Sequence, residues 1–178
     1  MENQNDHKSR NSYAAKDGLR LCVLLAVAFF CTMGNFVHPL WGLVSMALHI
    51  YIPFFVGRCV IKYRNNVLDG FISFRQAFGY SFLTFIYGFI LLAFVQFIYF
   101  QFFDHGFFIN EYVKLFSDPE VKEMLQQYGI STNDRKQIID MLISLRPIDI
   151  AIQYLMMNMV IGGVLSIIIA LVTKRKKY

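Results

Sequence analysis

Charge is scarce in this chain. Only 16% of its 178 residues are Asp, Glu, Lys or Arg, against 56% hydrophobic and 17% aromatic, a balance that a water-soluble domain of this size has no way to hide. Cysteine is scarce too: Cys22, Cys31 and Cys59 include no close pair that could form a metal site or a redox motif. No H-E-x-x-H, no nucleotide-binding glycine loop and no paired nucleophile and base stand in the sequence. These absences leave no cofactor, metal or catalytic residue to name, and they set enzymes aside in favour of other classes.

What the chain has instead is long apolar runs. A spanning helix needs about 20 mostly apolar residues at 1.5 Å each to cross about 30 Å of hydrocarbon. Four stretches reach that length, at about 19–37, 40–61, 76–103 and 148–172. Runs such as LCVLLAVAFF, YGFILLAFV and GGVLSIIIALV are apolar all round, unlike the alternation of barrel strands, so helices satisfy the backbone. The expected fold is all-α: an integral membrane four-helix bundle with an extracytoplasmic helical hairpin between spans 3 and 4. Residues 1–18 read as a cytoplasmic tail, 19–172 as one membrane domain with an outer loop at 104–147, and 173–178 as a basic cytoplasmic tail.

The net charge of +5 is better explained by its arrangement than by nucleic-acid binding. With the amino terminus inside, 12 basic residues fall on the cytoplasmic side: Lys8, Arg10, Lys16, Arg20, Arg58, Lys62, Arg64, Arg75, Lys174, Arg175, Lys176 and Lys177. The outer side receives 5, Lys114, Lys122, Arg135, Lys136 and Arg146, mixed with 8 acids. Short-loop Lys and Arg set orientation, which predicts both termini and the link between spans 2 and 3 inside. The KRKK end reads as a stop-transfer anchor, with Tyr178 and Trp41 as interfacial aromatics. A cleaved signal peptide is a poorer reading of the first span, since the polar lead is long and Ala28, Phe29 and Phe30 before Cys31 are too bulky for lipoprotein-type processing.

Polar and small residues recur at helical spacing inside the spans. Span 4 carries Tyr154, Asn158, Gly162, Ser166 and Ala170, and span 3 carries Gln76, Tyr80, Thr84, Gly88, Leu92 and Gln96. Such stripes let backbones approach, and they predict the faces that meet other helices. His49 is the ionisable side chain expected deep in a span, with Pro53 one turn on to free a backbone carbonyl. A kink beside a histidine is a candidate gate, yet a neutral imidazole bonded to a backbone carbonyl, Gln96 or Asn158 accounts for it as well. The candidate polar or packing site is therefore His49, Pro53, Thr84, Gly88, Gln96, Asn158, Gly162 and Ser166. Met156, Met157 and Met159 read as apolar packing rather than a copper site.

Between the spans, Asp69 and Gly70 mark a turn, and Ser73 with Gln76 spells a capping box that starts the third helix. In the outer loop, Asp118, Pro119 and Gly129 bracket one helix, and Ser131 or Thr132 caps a second, each with an apolar stripe. The preceding Phe107, Phe108, Tyr112 and Phe116 look interfacial.

The stretch YRNNVLDGFISFRQAFGYSF, the aromatic third span, the loop segment EMLQQYGISTNDRKQIIDML and the closing Gly, Ser and Ile-rich span together resemble the bacterial membrane family catalogued as domain of unknown function 4199. The resemblance runs from about Leu19 to Lys177 and is most specific at GFISFRQAF. It implies a four-helix protein of the bacterial inner membrane and supplies no activity, ligand or catalytic residue. The heavy aromatic load at 94–103 and His49 depart from the family pattern. Two functional classes follow: a structural or interaction protein embedded in the bilayer, forming a homo-oligomer or joining another membrane protein, or an oligomeric transporter or channel component built on His49 and the polar stripes.

Overall fold

The computed structural model describes the backbone of residues 2–175 and the side chains of residues 10–175. Lys8, Lys176, Lys177 and Tyr178, assigned above from sequence, lie outside the described side chains. Among the described residues every regular element is a helix: α1 (Glu2–Gly34), α2 (Pro39–Val67), α3 (Phe74–Phe102), α4 (Phe107–Ser117), α5 (Pro119–Gln127), α6 (Thr132–Ser144) and α7 (Pro147–Thr173). Four are long and apolar enough to cross a membrane, namely Arg10–Gly34 of α1 and the whole of α2, α3 and α7. The chain is an all-α, multi-pass membrane protein.

Capping residues fix where the helices start. Pro39 opens α2 behind His38, whose Nδ1 accepts from the Leu40 N–H. The predicted capping box opens α3: the Ser73 N–H donates to Gln76 Oε1 at 3.0 Å and the Gln76 N–H to Ser73 Oγ at 3.3 Å. Asp69 and Gly70 take positive φ in the turn before it. The first helix begins far earlier than hydropathy predicts, because Lys16, Asp17 and Arg20 depress the average without breaking helical propensity.

The described chain gathers into two compact units, one running up to Val95 and resuming at Tyr154, the other Gln96–Gln153. In the first, α3 presents a buried stripe of Ala77, Tyr80, Ser81, Thr84, Phe85, Gly88, Phe89 and Leu92. Glycines on its neighbours meet that stripe. A Cβ on Gly18 of α1 would stand 2.6 Å from Tyr87 Cβ and 3.1 Å from the Thr84 carbonyl oxygen, and one on Gly88 would stand 3.3 Å from the Gly18 carbonyl oxygen. On α7, a Cβ at Gly162 would stand 2.6 Å from Phe89 Cε2. Backbones approach this closely only where the side chain is missing. At one end of this unit Ile72 and Arg175 exchange two backbone hydrogen bonds, at 3.0 and 2.9 Å, and Arg64 Nη1 donates to the Thr173 carbonyl at 3.1 Å. The α2–α3 link and the end of α7 are thereby tied together.

The second unit holds the loop helices. Both helices of the predicted hairpin form: Asp118 caps α5 through the Glu120 N–H, and Gly129 follows α5 with φ 81°. A helix not expected from sequence, α4, precedes them and packs against each. Its start is set by Asp104, a buried carboxylate that accepts from the Phe108 N–H, and by Gly106 in the left-handed region. Phe108, read as interfacial, is buried between Phe100 and Tyr112, with ring centroids 5.2 and 4.7 Å away.

Ser131 and Asp134 form a reciprocal capping box at the start of α6. Hydrogen bonding from the Ser131 side chain, then from its backbone, holds the Asp134 carboxyl below the ordinary carboxylate range. A depressed folded value means the cap stabilises above the unfolded value and is lost as pH falls through the folded one. Hydrogen exchange of the first α6 amides, corrected for intrinsic rate, should therefore accelerate on acidification below about pH 4, and Asp134→Asn should flatten that response.

Gly18→Ala and Gly162→Ala are each expected to lower stability by about 1–3 kcal/mol through overpacking. Gly57→Ala, where nothing lies within 4 Å of the new methyl group, should be neutral or stabilising by up to about 1 kcal/mol. Unfolding of the three variants in mild detergent checks the contrast.

Candidate functional site

Of the eight residues singled out from sequence, seven lie in the first unit, where they fall in separate places. On α3, Thr84 is fully buried and its hydroxyl donates to the Tyr80 carbonyl at 2.9 Å, while Gly88 is the contact point for α1. On α7, Ser166 is buried with its hydroxyl bonded to the Gly162 carbonyl at 2.6 Å, Gly162 lies against Phe85 and Phe89, and Asn158 is half-buried. Ser81 bonds back to Ala77 in the same way, at 2.8 Å. Hydroxyls satisfied by their own helix can be buried cheaply, but they have no donor left for a substrate. Gln96 belongs to the second unit. It is 2% exposed, and its Oε1 has no hydrogen-bond partner among the described residues.

His49 sits elsewhere. Its side chain is exposed on α2, and its Nδ1 lies 2.8 Å from the Ser45 carbonyl oxygen, the backbone partner that sequence allowed for. A carbonyl can only accept, so Nδ1 carries the proton and Nε2 keeps the lone pair. Ser45 Oγ is 3.4 Å from the same Nδ1 and bonds instead to Thr32 Oγ1 at 2.7 Å and the Ala28 carbonyl at 3.1 Å. With Nδ1 protonated, His49 is no base toward Ser45, so the pair is not a nucleophile and its activator. Thr32, Asn35, Gly42, Ser45, Met46 and His49 line an open groove. Pro53 leaves the His49 carbonyl without its usual helical donor, yet α2 continues through it to Val67.

The most concentrated chemistry lies where sequence placed only a tail. Asp17 on α1 is 6% exposed. Its Oδ2 accepts from the Tyr80 hydroxyl at 2.6 Å and its Oδ1 from Arg20 Nη1 at 2.9 Å. The Tyr80 ring stacks on Tyr63 of α2, centroids 4.4 Å apart and 18° between planes. One carboxylate thus links α1 to α3, and one aromatic pair links α3 to α2. Above this floor is a cavity of about 220 Å³, with Tyr13, Lys16, Arg20, Lys62 and Asn66 at its mouth. A buried carboxylate lining a cavity is a functional candidate. This one has both oxygens occupied by the protein.

Among the described residues no three His, Cys, Asp or Glu side chains converge to hold a metal, and Cys22, Cys31 and Cys59 are each buried as free thiols. Ser45→Ala removes the hub joining Thr32 to the His49 turn, and is expected to cost about 0.6–1.7 kcal/mol. His49→Ala, an exposed ring, should cost less. Chemical unfolding of both in detergent checks the order.

Comparison with known proteins gives one positive result. No curated protein and no solved structure matches the chain. The profile of the family described as Protein of unknown function (DUF4199) matches residues 16–175, which takes in all four apolar helices, the capped α2–α3 link and the loop helices. The match also begins beside Asp17 and includes the cavity residues from Lys16 onward. With the profile covering most of its length, this chain belongs to the DUF4199 family.

Proposed function

We propose that the protein is a structural or interaction component of the bacterial inner membrane, without catalysis of its own, that associates with itself or with another membrane protein. One observation carries this reading: the hydroxyls of Ser81, Thr84 and Ser166 and the glycines where α1, α3 and α7 meet are consumed by packing. Thr84, Ser81 and Ser166 bond to their own helices, and Gly18, Gly88 and Gly162 admit neighbouring backbones or rings. That leaves structure, rather than a polar conduit, as what the stripes support. The outward faces of α2 and α7 are rich in large apolar side chains, among them Leu43, Phe54, Met156 and Val164, which suit lipid or a partner helix.

In this reading residues 19–172 are the membrane domain. Both termini and the α2–α3 link are cytoplasmic, supported by the 12 to 5 division of basic residues, and 104–147 is the extracytoplasmic loop. A second reading, an oligomeric transporter or channel component, is favoured by one feature: His49 is exposed in a groove with Thr32 and Ser45, which association of subunits would enclose.

Flux through proteoliposomes at several pH values, with His49→Ala alongside, separates the two. The structural reading expects no flux above empty liposomes in either protein and a stable oligomer or co-purifying membrane partner. Flux in the parent that His49→Ala abolishes would replace it with the transport reading.

A further inference from the structure

The cavity between α1 and α2 has a composition that packing alone does not explain. Three cations, Lys16, Arg20 and Lys62, stand around its mouth against one carboxylate, Asp17. Asp17 is already engaged, Oδ1 by Arg20 and Oδ2 by Tyr80, so it orients the guanidinium instead of repelling an anion from an open oxygen. Arg20 spends one of its donors on Asp17 and retains the others. Among the described residues Lys16 and Lys62 enter no ion pair; Lys16 rests 5.9 Å from the centre of the Tyr13 ring. Asn66 adds a neutral side-chain amide at the same mouth.

Position narrows the ligand. The cations stand where the chain passes from charged to apolar sequence: Arg20 precedes Leu21 to Phe30, and Lys62 follows Ile61. That is the level at which headgroups meet basic side chains. From Arg20 the same face of α1 continues, at helical spacing, into Val23 and Val27, which are 62% and 48% exposed. An anion seated in the cavity with an apolar chain attached would lay that chain along this track, whereas a free ion would leave it unused.

We propose that this cavity is a binding site for the phosphate group of a membrane phospholipid, held by Lys16, Arg20 and Lys62 with its acyl chains against Val23 and Val27. The site is independent of whether the bundle acts as a scaffold or a transporter. Guanidinium and ammonium donors around a phosphate give charge-assisted hydrogen bonds, shorter and stronger than neutral ones.

Native mass spectrometry of the full chain in mild detergent, titrated with phosphatidylglycerol and with a diacylglycerol of the same chains, tests it. The parent should retain phosphatidylglycerol and not diacylglycerol. Lys16→Gln with Lys62→Gln should weaken retention about thirtyfold, the combined weight of two interfacial cations. Asn66→Trp, which fills the mouth without altering charge, should weaken it as well. Arg75→Gln with Lys174→Gln, two cations outside the cavity, should change it less than about twofold. Equal retention of the two lipids by the parent, an equal loss in the Arg75 and Lys174 control, or displacement of the lipid by millimolar inorganic phosphate alone would overturn the assignment.

Discussion

The contact of the Asp17 carboxylate with the Tyr80 hydroxyl, at 2.6 Å, sets the register on which the rest of the bundle depends. A buried carboxylate is tolerated only if its oxygens are bonded, and Tyr80 and Arg20 bond one each. Gly18 follows Asp17 immediately, so the residue that pins α1 to α3 is adjacent to the one that lets their backbones meet. Tyr80 in turn carries Tyr63 on its ring face, which brings α2 into the same node. Electrostatics fixes the height of α1 against α3, and the missing Cβ atoms fix the distance.

Around that node, polarity is spent inward and greasiness outward. The hydroxyls along α3 and α7 close on their own helices, so small residues serve van der Waals approach, the main source of helix association where lipid is as apolar as the side chains. At the same end of the bundle, the α2–α3 link and the end of α7 are stitched by backbone hydrogen bonds and by Arg64. Arg64 and Arg175 are thus held on ordered backbone at this end.

Much of this was legible in the amino acids. Long apolar runs give the four spans and the all-α class, because lipid leaves the backbone no other partner. Ser73 with Gln76, Asp118 with Pro119, and Ser131 announce helix starts through chemistry that acts over three residues, which a sequence displays directly. Asp17 was hidden for the opposite reason. Its burial depends on a tyrosine 63 positions away, while hydropathy averaging sees only that Lys16, Asp17 and Arg20 cluster and so ends the span at Leu19. The facing of His49 was equally invisible, since α2 is apolar on every side and its periodicity selects no inward face. In the loop, the α4 aromatics recur at spacings that suit an interface as well as a core, and the decisive signal, a buried Asp104 capping Phe108, is tertiary.

The central claim, that a buried carboxylate and phenol join α1 to α3, is tested most directly by a double-mutant cycle of Asp17→Asn and Tyr80→Phe, with unfolding free energies measured in mild detergent. A hydrogen bond to a charged group predicts a coupling energy of about 1.5–3 kcal/mol. Losses that add to within about 0.5 kcal/mol would show that the two side chains do not meet, and would contradict the account.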